Sequence, residues 1–412
     1  MRTSLGIASR AAGLLLLVLV VACPEKAAEP TTSSKTPPTA PAVSPTPAAQ
    51  APASSQPASG TDELVFGEVG SLTGSEATFG KSTKNGIELA VKEINESGGV
   101  KGRKIRVQVY DDQSKPEEAR TVTTRLITQD HANVVLGEVA STNSLQMAPI
   151  CQSNQVPMVT PSSTNPKVTQ QGDFIFRVCF IDPFQGQVMA KFARQHLKVT
   201  KVAVFKDQRS DYSIGLAEYF ENQFKAMGGE ILVEESFSKG DSDFKAQLTK
   251  IRATKPEAIY VPGYYNDIGL IAKQARQLGI KVPLLGGDGW ESEKLFELGG
   301  SALDGCYYSN HYSTEDPAPK IRQFIDKFRA AYGSVPDSLA ALGYDAAKIA
   351  ADAMTRAKSF SGPDVRDALA VTKEFDGVTG KITMDKDRNA VKPAVVLRIQ
   401  GGKAIYTTTI AP

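Results

Sequence analysis

The sequence predicts an α/β fold built from two doubly wound, Rossmann-like lobes. Three observations carry that prediction. Short apolar runs alternate with stretches of helical periodicity from Leu64 onward, the pattern of a parallel sheet covered by helices. The alternation runs to about Phe180 and then starts afresh, which fits two sheets better than one very wide one. A chain of 412 residues also exceeds what a single hydrophobic core usually serves, so two core-bearing units are expected.

The first 23 residues stand outside that fold. Arg2 and Arg10 precede the apolar run Ala11 to Ala22, which is short for a bilayer span and suits the apolar region of a secretory signal. The run ends Val20-Val21-Ala22-Cys23, which resembles the lipobox of bacterial lipoprotein signals, whose cysteine is lipidated and becomes the mature N-terminus. Residues 24–62 are dominated by Pro, Ala, Ser and Thr, with too little apolar surface to offset the entropy of ordering. They read as a disordered tether between a lipid anchor and a folded body outside the cytoplasmic membrane. With Cys23 acylated, Cys151, Cys179 and Cys306 remain, enough for at most one intramolecular disulfide.

The elements follow in order. Leu64 to Gly70 reads as a strand that breaks at Gly70-Ser71-Leu72-Thr73-Gly74. Lys81 to Glu96 spaces Ile87, Leu89, Ala90, Val91 and Ile94 as a helix and stops at Gly98-Gly99. A strand from Lys104 to Tyr110, a helix from Glu117 to Gln129, and strands at Asn133 to Gly137, Val156 to Thr160 and Phe174 to Phe180 complete the first series. The second series alternates helices at Phe184 to His196, Ile214 to Met227, Phe244 to Arg252 and Ile268 to Leu278 with strands. Those strands are Lys201 to Phe205, Glu230 to Glu235, Glu257 to Val261 and Val282 to Gly286. Helices at Ala318 to Tyr332, Ser338 to Ala357 and Pro363 to Ala370 then lead into strands at Gly380 to Met384, Ala394 to Ile399 and Ala404 to Thr408.

Candidate binding residues cluster where strands stop. Two hydroxyl-rich exits, Ala140-Ser141-Thr142-Asn143 and Pro161-Ser162-Ser163-Thr164-Asn165-Pro166, belong to the first series. The second series exits into Asp207 to Tyr212, into Gly263-Tyr264-Tyr265 and into Gly287-Asp288-Gly289-Trp290. Parallel strands share a direction, so these exits lie on one edge of each sheet, where ligands of open α/β sheets bind. Hydroxyls and helix N-termini suit a carboxylate, whereas an acid beside aromatic rings suits an ammonium. A free α-amino acid presents both groups. Asp111 and Asp112 read as turn residues rather than ligand contacts.

Composition excludes other classes. Charge is nearly balanced, 47 basic against 45 acidic residues, so no nucleic-acid footprint is visible. Three histidines without an HExxH or CxxC pattern leave little for a metal site, and no cofactor is expected. A Ser-His-Asp set, a GxSxG elbow and a P-loop are absent from the sequence, and Gly70, Gly74 and Gly80 are misspaced for a dinucleotide turn. No catalytic residue is assigned and the chain is not expected to be an enzyme.

Many segments, in order, resemble the leucine/isoleucine/valine-binding proteins, the solute-binding components of branched-chain amino acid ABC transporters. They include Gly70 to Gly74, Gly86 to Ala90, Gly98 to Gly102, Tyr110 to Gln113, Thr160 to Pro166, Phe176-Arg177, Gly263 to Tyr265, Gln274 to Arg276, Gly286 to Gly289, Tyr344 to Ala346 and Phe375 to Gly380. The resemblance implies a type I periplasmic binding protein fold, two lobes joined by a three-strand hinge. It places residues 63–182 plus 312–378 in the N-terminal lobe and residues 183–311 plus 379–412 in the C-terminal lobe. It also implies that Ser141, Ser162 and Thr164 hold the ligand carboxylate, that Asp288 and Tyr264 hold the ammonium, and that Phe79 and Tyr212 line the side-chain region. The implied partners are an amino acid, the permease subunits of the transporter and, through the lipid, a membrane of the bacterial envelope, with the protein acting as a monomer. A sensory module of the same fold, or a site for a small carboxylate or amide without an amino group, is the alternative.

Overall fold

The computed structural model describes residues 63–412. The expected signal segment, its Cys23 and the tether lie outside the described residues.

The first lobe is built on β1 (Leu64–Gly70), α1 (Ala77–Glu96), β2 (Ile105–Asp111), α2 (Pro116–Thr128), β3 (Val134–Gly137), α3 (Ser141–Ser153), β4 (Met158–Thr160) and β5 (Ile175–Arg177). Its five strands are all parallel, in the order β2-β1-β3-β4-β5. β1 and β3 are buried almost throughout, as strands covered on both faces must be, which is why they read as continuous apolar runs. α1 begins four residues before the expected Lys81. Its first turn passes so close to the β1 exit that a Cβ on Gly80 would lie 2.2 Å from the Ser71 carbonyl oxygen.

The second lobe contains α4 (Asp182–Lys191), β6 (Lys201–Asp207), α5 (Asp211–Ala226), β7 (Glu230–Phe237), α6 (Lys245–Ala253), β8 (Ala258–Tyr260), α7 (Tyr265–Gln277), β9 (Leu284–Gly286), α8 (Glu293–Gly299) and β10 (Tyr307–Asn310). The chain then forms α9 (Pro319–Tyr332), α10 (Ser338–Arg356), α11 (Gly362–Ala370), β11 (Phe375–Gly377), β12 (Gly380–Met384), β13 (Ala390–Val391), β14 (Ala394–Gln400) and β15 (Lys403–Ile410). The second sheet runs β15-β14-β10-β9-β8-β6-β7, with β14 antiparallel to both β10 and β15. α8 and β10 have no counterpart in the sequence reading. β10 is four residues long and its sequence, Tyr-Tyr-Ser-Asn, carries no apolar alternation.

Three segments cross between the sheets: after β5, after β10 and between β13 and β14. The last corrects an expectation. Ile382, Met384 and Ala390 are packed in the first-lobe core with Leu64, Phe66 and Val134, so the chain returns to the second sheet at residues 392–393 and not at 379. α10 completes the first lobe by crossing α1 at very short range. A Cβ on Gly86 would lie 2.0 Å from the Ala340 carbonyl oxygen, and one on Gly343 would lie 2.5 Å from that of Thr83.

The crossovers bind one another. Buried Lys392 donates to the Val178 carbonyl at 3.2 Å and bonds the Thr379 hydroxyl, and burial lowers its pKa to about 8 while the nearby Asp345 opposes that shift. Asp345 in turn accepts from the backbone of Val378 and Thr379 at 2.7 and 2.9 Å. Phe180 of the first crossover stacks on His311 of the second, ring centres 3.8 Å apart. Cys151, Cys179 and Cys306 are free and buried.

Candidate ligand-binding site

The carboxyl ends of the two sheets face each other across a small cavity. Phe79, Ser141, Ser162, Tyr212, Tyr264 and Asp288 all line it, together with Val139, Gly289 and Leu339. Six of the seven expected ligand residues are thus brought together from both lobes. Thr164 is not among the lining residues. It is buried and its hydroxyl faces the Asp182 carboxyl without a well-formed hydrogen bond.

The first-lobe wall is held from behind. Glu138, fully buried, accepts from the Ser71 amide at 3.0 Å and from the Ala140 amide at 2.5 Å, which fixes the turn that starts α3. Burial, with the neighbouring charge of Asp112 added, pushes its pKa well up. α3 opens on Ser141 with no side-chain cap, so its first N–H groups are left for a partner at the cavity. The loop after β4 is organised by Arg177, fully buried, whose guanidinium bonds the Ser163 carbonyl and donates to the Asn165 carbonyl at 2.9 Å. Spending those carbonyls on Arg177 leaves Ser162 turned toward the cavity. Asp111 accepts from the Leu72 and Thr73 amides at 2.9 and 3.1 Å and so serves the β1 exit turn.

The second-lobe wall is a slab of aromatic rings around one acid. Tyr212 and Tyr264 stack almost parallel, 5.2 Å apart, and Phe79 meets Tyr264 edge-on at 5.5 Å. Glycines beside Asp288 make room for the slab. A Cβ on Gly289 would lie 2.9 Å from the Tyr264 ring, and one on Gly287 would lie 2.4 Å from the Tyr212 hydroxyl. Asp288 accepts from Tyr212 at 2.9 Å and from Gln185 at 2.7 Å on one oxygen, with His311 at 3.0 Å and Ser162 at 3.5 Å on the other. Tyr212 therefore acts on the acid rather than only lining the side-chain region. Trp290, fully buried, donates to the Val261 carbonyl at 3.0 Å and packs behind the cavity.

The lobes also bond each other outside the cavity. Thr142 donates to Asp211 at 3.1 Å, Asn165 donates to the Asp211 carbonyl at 2.7 Å, and Tyr265 donates to the Ser75 carbonyl at 2.8 Å. Lys239 pairs with Glu76 at 2.7 Å. These contacts define a closed arrangement. Gln185, His311, Val139 and Leu339 escaped the sequence reading. His311 follows the unrecognised β10, and Leu339 comes from α10, whose apolar pattern is that of a core helix. Among the described residues no cluster of three or more His, Cys, Asp or Glu is arranged to hold a metal ion.

Comparison with known proteins agrees with this architecture. A family model described as periplasmic binding protein matches residues 63–404. A Leu/Ile/Val-binding protein of Rhizobium johnstonii is 30% identical over 78% of this chain and 87% of its own length. The crystal structure of the leucine-binding protein LivK of Thermotoga maritima superposes with a TM-score of 0.81 at 39% identity, covering 85% of this chain and 99% of that one. The branched-chain amino acid transporter substrate-binding protein LivJ of Streptococcus pneumoniae, solved in complex with isoleucine, gives a TM-score of 0.81 at 36% identity over 85% of this chain and all of its own. These relatives are binding proteins and not enzymes. The chain belongs to the periplasmic binding proteins, in their leucine/isoleucine/valine-binding branch, and is a solute-binding protein of the branched-chain amino acid ABC transporter type.

Proposed function

We propose that this protein captures a free amino acid with a branched-chain or similar apolar side chain between its lobes, closes over it, and delivers it to the permease of an importer. The observation that carries the reading is the polarity of the cavity. Ser141, Ser162 and the uncapped start of α3 face it from one lobe, Asp288 from the other, and Phe79, Val139 and Leu339 supply an apolar wall. A zwitterion with an apolar side chain satisfies all three surfaces. Thermal-shift screening of the proteinogenic amino acids is the test. A matching ligand at a thousandfold excess over its dissociation constant adds about 4 kcal/mol of stability, whereas no shift with any of them contradicts the reading.

The same reading places the protein on the outer side of a membrane, anchored through Cys23. Cys23→Ser is expected to release it into the soluble envelope fraction or leave it as unprocessed precursor. A mature, membrane-bound Ser variant of unchanged size on fractionation would contradict the anchor.

A further inference from the structure

Asp288 is the group on which the amine of the proposed ligand would rest, yet the protein already surrounds it with donors. Gln185 in the first turn of α4 and Tyr212 in α5 occupy one oxygen at 2.7 and 2.9 Å. On the other oxygen His311 stands at 3.0 Å, and Ser162 reaches it only at 3.5 Å. A carboxylate offers about four lone-pair positions. Three are therefore taken at good distance and one, on Oδ2, is held loosely.

His311 and Gln185 do not line the cavity; they stand behind the acid and are built to do little else. The His311 ring is buried and clamped against Phe180, with Nε2 toward Asp288 and no partner on Nδ1 among the described residues. That contact selects the tautomer with the proton on Nε2. Burial lowers the His311 pKa, Asp288 opposing the shift and Lys392 adding to it, so the ring is a neutral donor at neutral pH. The carbonyl oxygen of Gln185 likewise has no partner among the described residues, and its amide bonds Asp288.

We propose that His311 and Gln185 are positioning residues that compensate Asp288 from within, so that the site also accepts α-carboxylates lacking the amine: the 2-hydroxy and 2-oxo acids that share the amino acid's apolar side chain. The proposal rests on the amino-acid reading above. Removing the ammonium from a ligand that pairs with a buried acid ordinarily costs about two to three orders of magnitude in affinity, because the charge is left alone. Here three donors stay on the carboxylate whether or not the ligand carries an amine. A 2-hydroxyl donates to the loosely held position on Oδ2, and a 2-oxo group does not. The order of affinity is then amino acid, hydroxy acid, oxo acid, over a narrow range.

Calorimetric titration of the purified protein with leucine and with the 2-hydroxy and 2-oxo acids of the same carbon skeleton tests this. Both acids should bind within about a hundredfold of leucine, the hydroxy acid more tightly. His311→Leu should widen the ratio between leucine and the oxo acid by about tenfold or more, because only the amine-free complex then lacks a donor. His311→Gln, which keeps an N–H donor, should leave the ratio within about threefold of the wild type. If His311→Leu does not fold, Gln185→Leu makes the same comparison, and the wild-type ratio stands alone as a test. A wild-type ratio above about a hundred, or a ratio unmoved when a donor is removed, overturns the proposal. Binding of both acids without leucine overturns the amino-acid reading alone, and binding of none of the three overturns both.

Discussion

Asp288→Ala is expected to weaken binding of a free amino acid by at least about two orders of magnitude. A buried charge deprived of its partner costs about 3 to 5 kcal/mol, and about 1.4 kcal/mol is a tenfold change in affinity. The surroundings do not replace the charge. Gln185, Tyr212 and His311 bond the Asp288 carboxylate, and none of them carries a negative charge that could take its place. The fold should survive, because the side chain lies at the cavity and not in an apolar core. Thr164→Val is the informative control. Its hydroxyl faces Asp182 rather than the cavity, so the change should alter affinity by less than about threefold, well under the about 1.5 to 3 kcal/mol of a lost hydrogen bond to a charged group. Calorimetry on both variants decides: unchanged affinity in Asp288→Ala would make this residue an ordinary loop acid.

The ligand-free protein is expected to lose stability between pH 5.5 and 8, and Glu68→Gln is expected to remove part of that loss. Glu68, on β1, is fully buried and neither carboxyl oxygen has a hydrogen-bond partner among the described residues. Burial pushes its pKa up to about 8, with Glu88 adding to the shift and Lys84 opposing it. Asp182, at the start of α4, is likewise raised to about 8, by burial first. Both carboxyls hold a proton more firmly folded than unfolded, so the native state binds more protons across this window. Their stabilising contribution is fully present below the unfolded carboxyl pKa and is lost as the pH rises through about 8. One pKa unit corresponds to about 1.4 kcal/mol, so the combined loss reaches several kcal/mol. Lowered groups such as Glu93 and Asp111 act with the opposite sign, but below the ordinary carboxylate range and outside the window. Lys392, lowered to about 8, gains stability only above that pH. Urea titrations at pH 5.5 and 8 check the prediction. The midpoint should fall on going to pH 8, by less in Glu68→Gln; an equal fall in both proteins would clear Glu68.

The alternation of strands and helices was legible because parallel strands buried on both faces leave continuous apolar runs, as at Val134–Gly137 and Lys201–Asp207. Site residues at strand exits were legible for the same reason. Ser141, Ser162, Tyr212, Tyr264 and Asp288 each follow a readable strand, and the topology brings them to one cavity. What escaped lacks a local signature. β10 is short and polar because it borders the site, and with it went His311. Leu339 reaches the cavity from a helix that belongs to the other lobe's core. The return point near residue 379 was misplaced because the hairpin of β12 and β13 carries an apolar face of only Ile382, Met384 and Ala390, and nothing local in it names the core it joins.

The central claim is that the two lobes close on a ligand held between them. The contacts of Thr142 and Asn165 with Asp211 and of Lys239 with Glu76 join the two lobes, and a zwitterion spanning Ser141 and Asp288, as proposed, would bind this joined arrangement preferentially and shift the population toward it. Small-angle scattering of the folded body, with and without a saturating amino acid shown to bind, tests this most directly. A smaller radius of gyration in the bound protein is the predicted result, and an unchanged profile at saturation would contradict it.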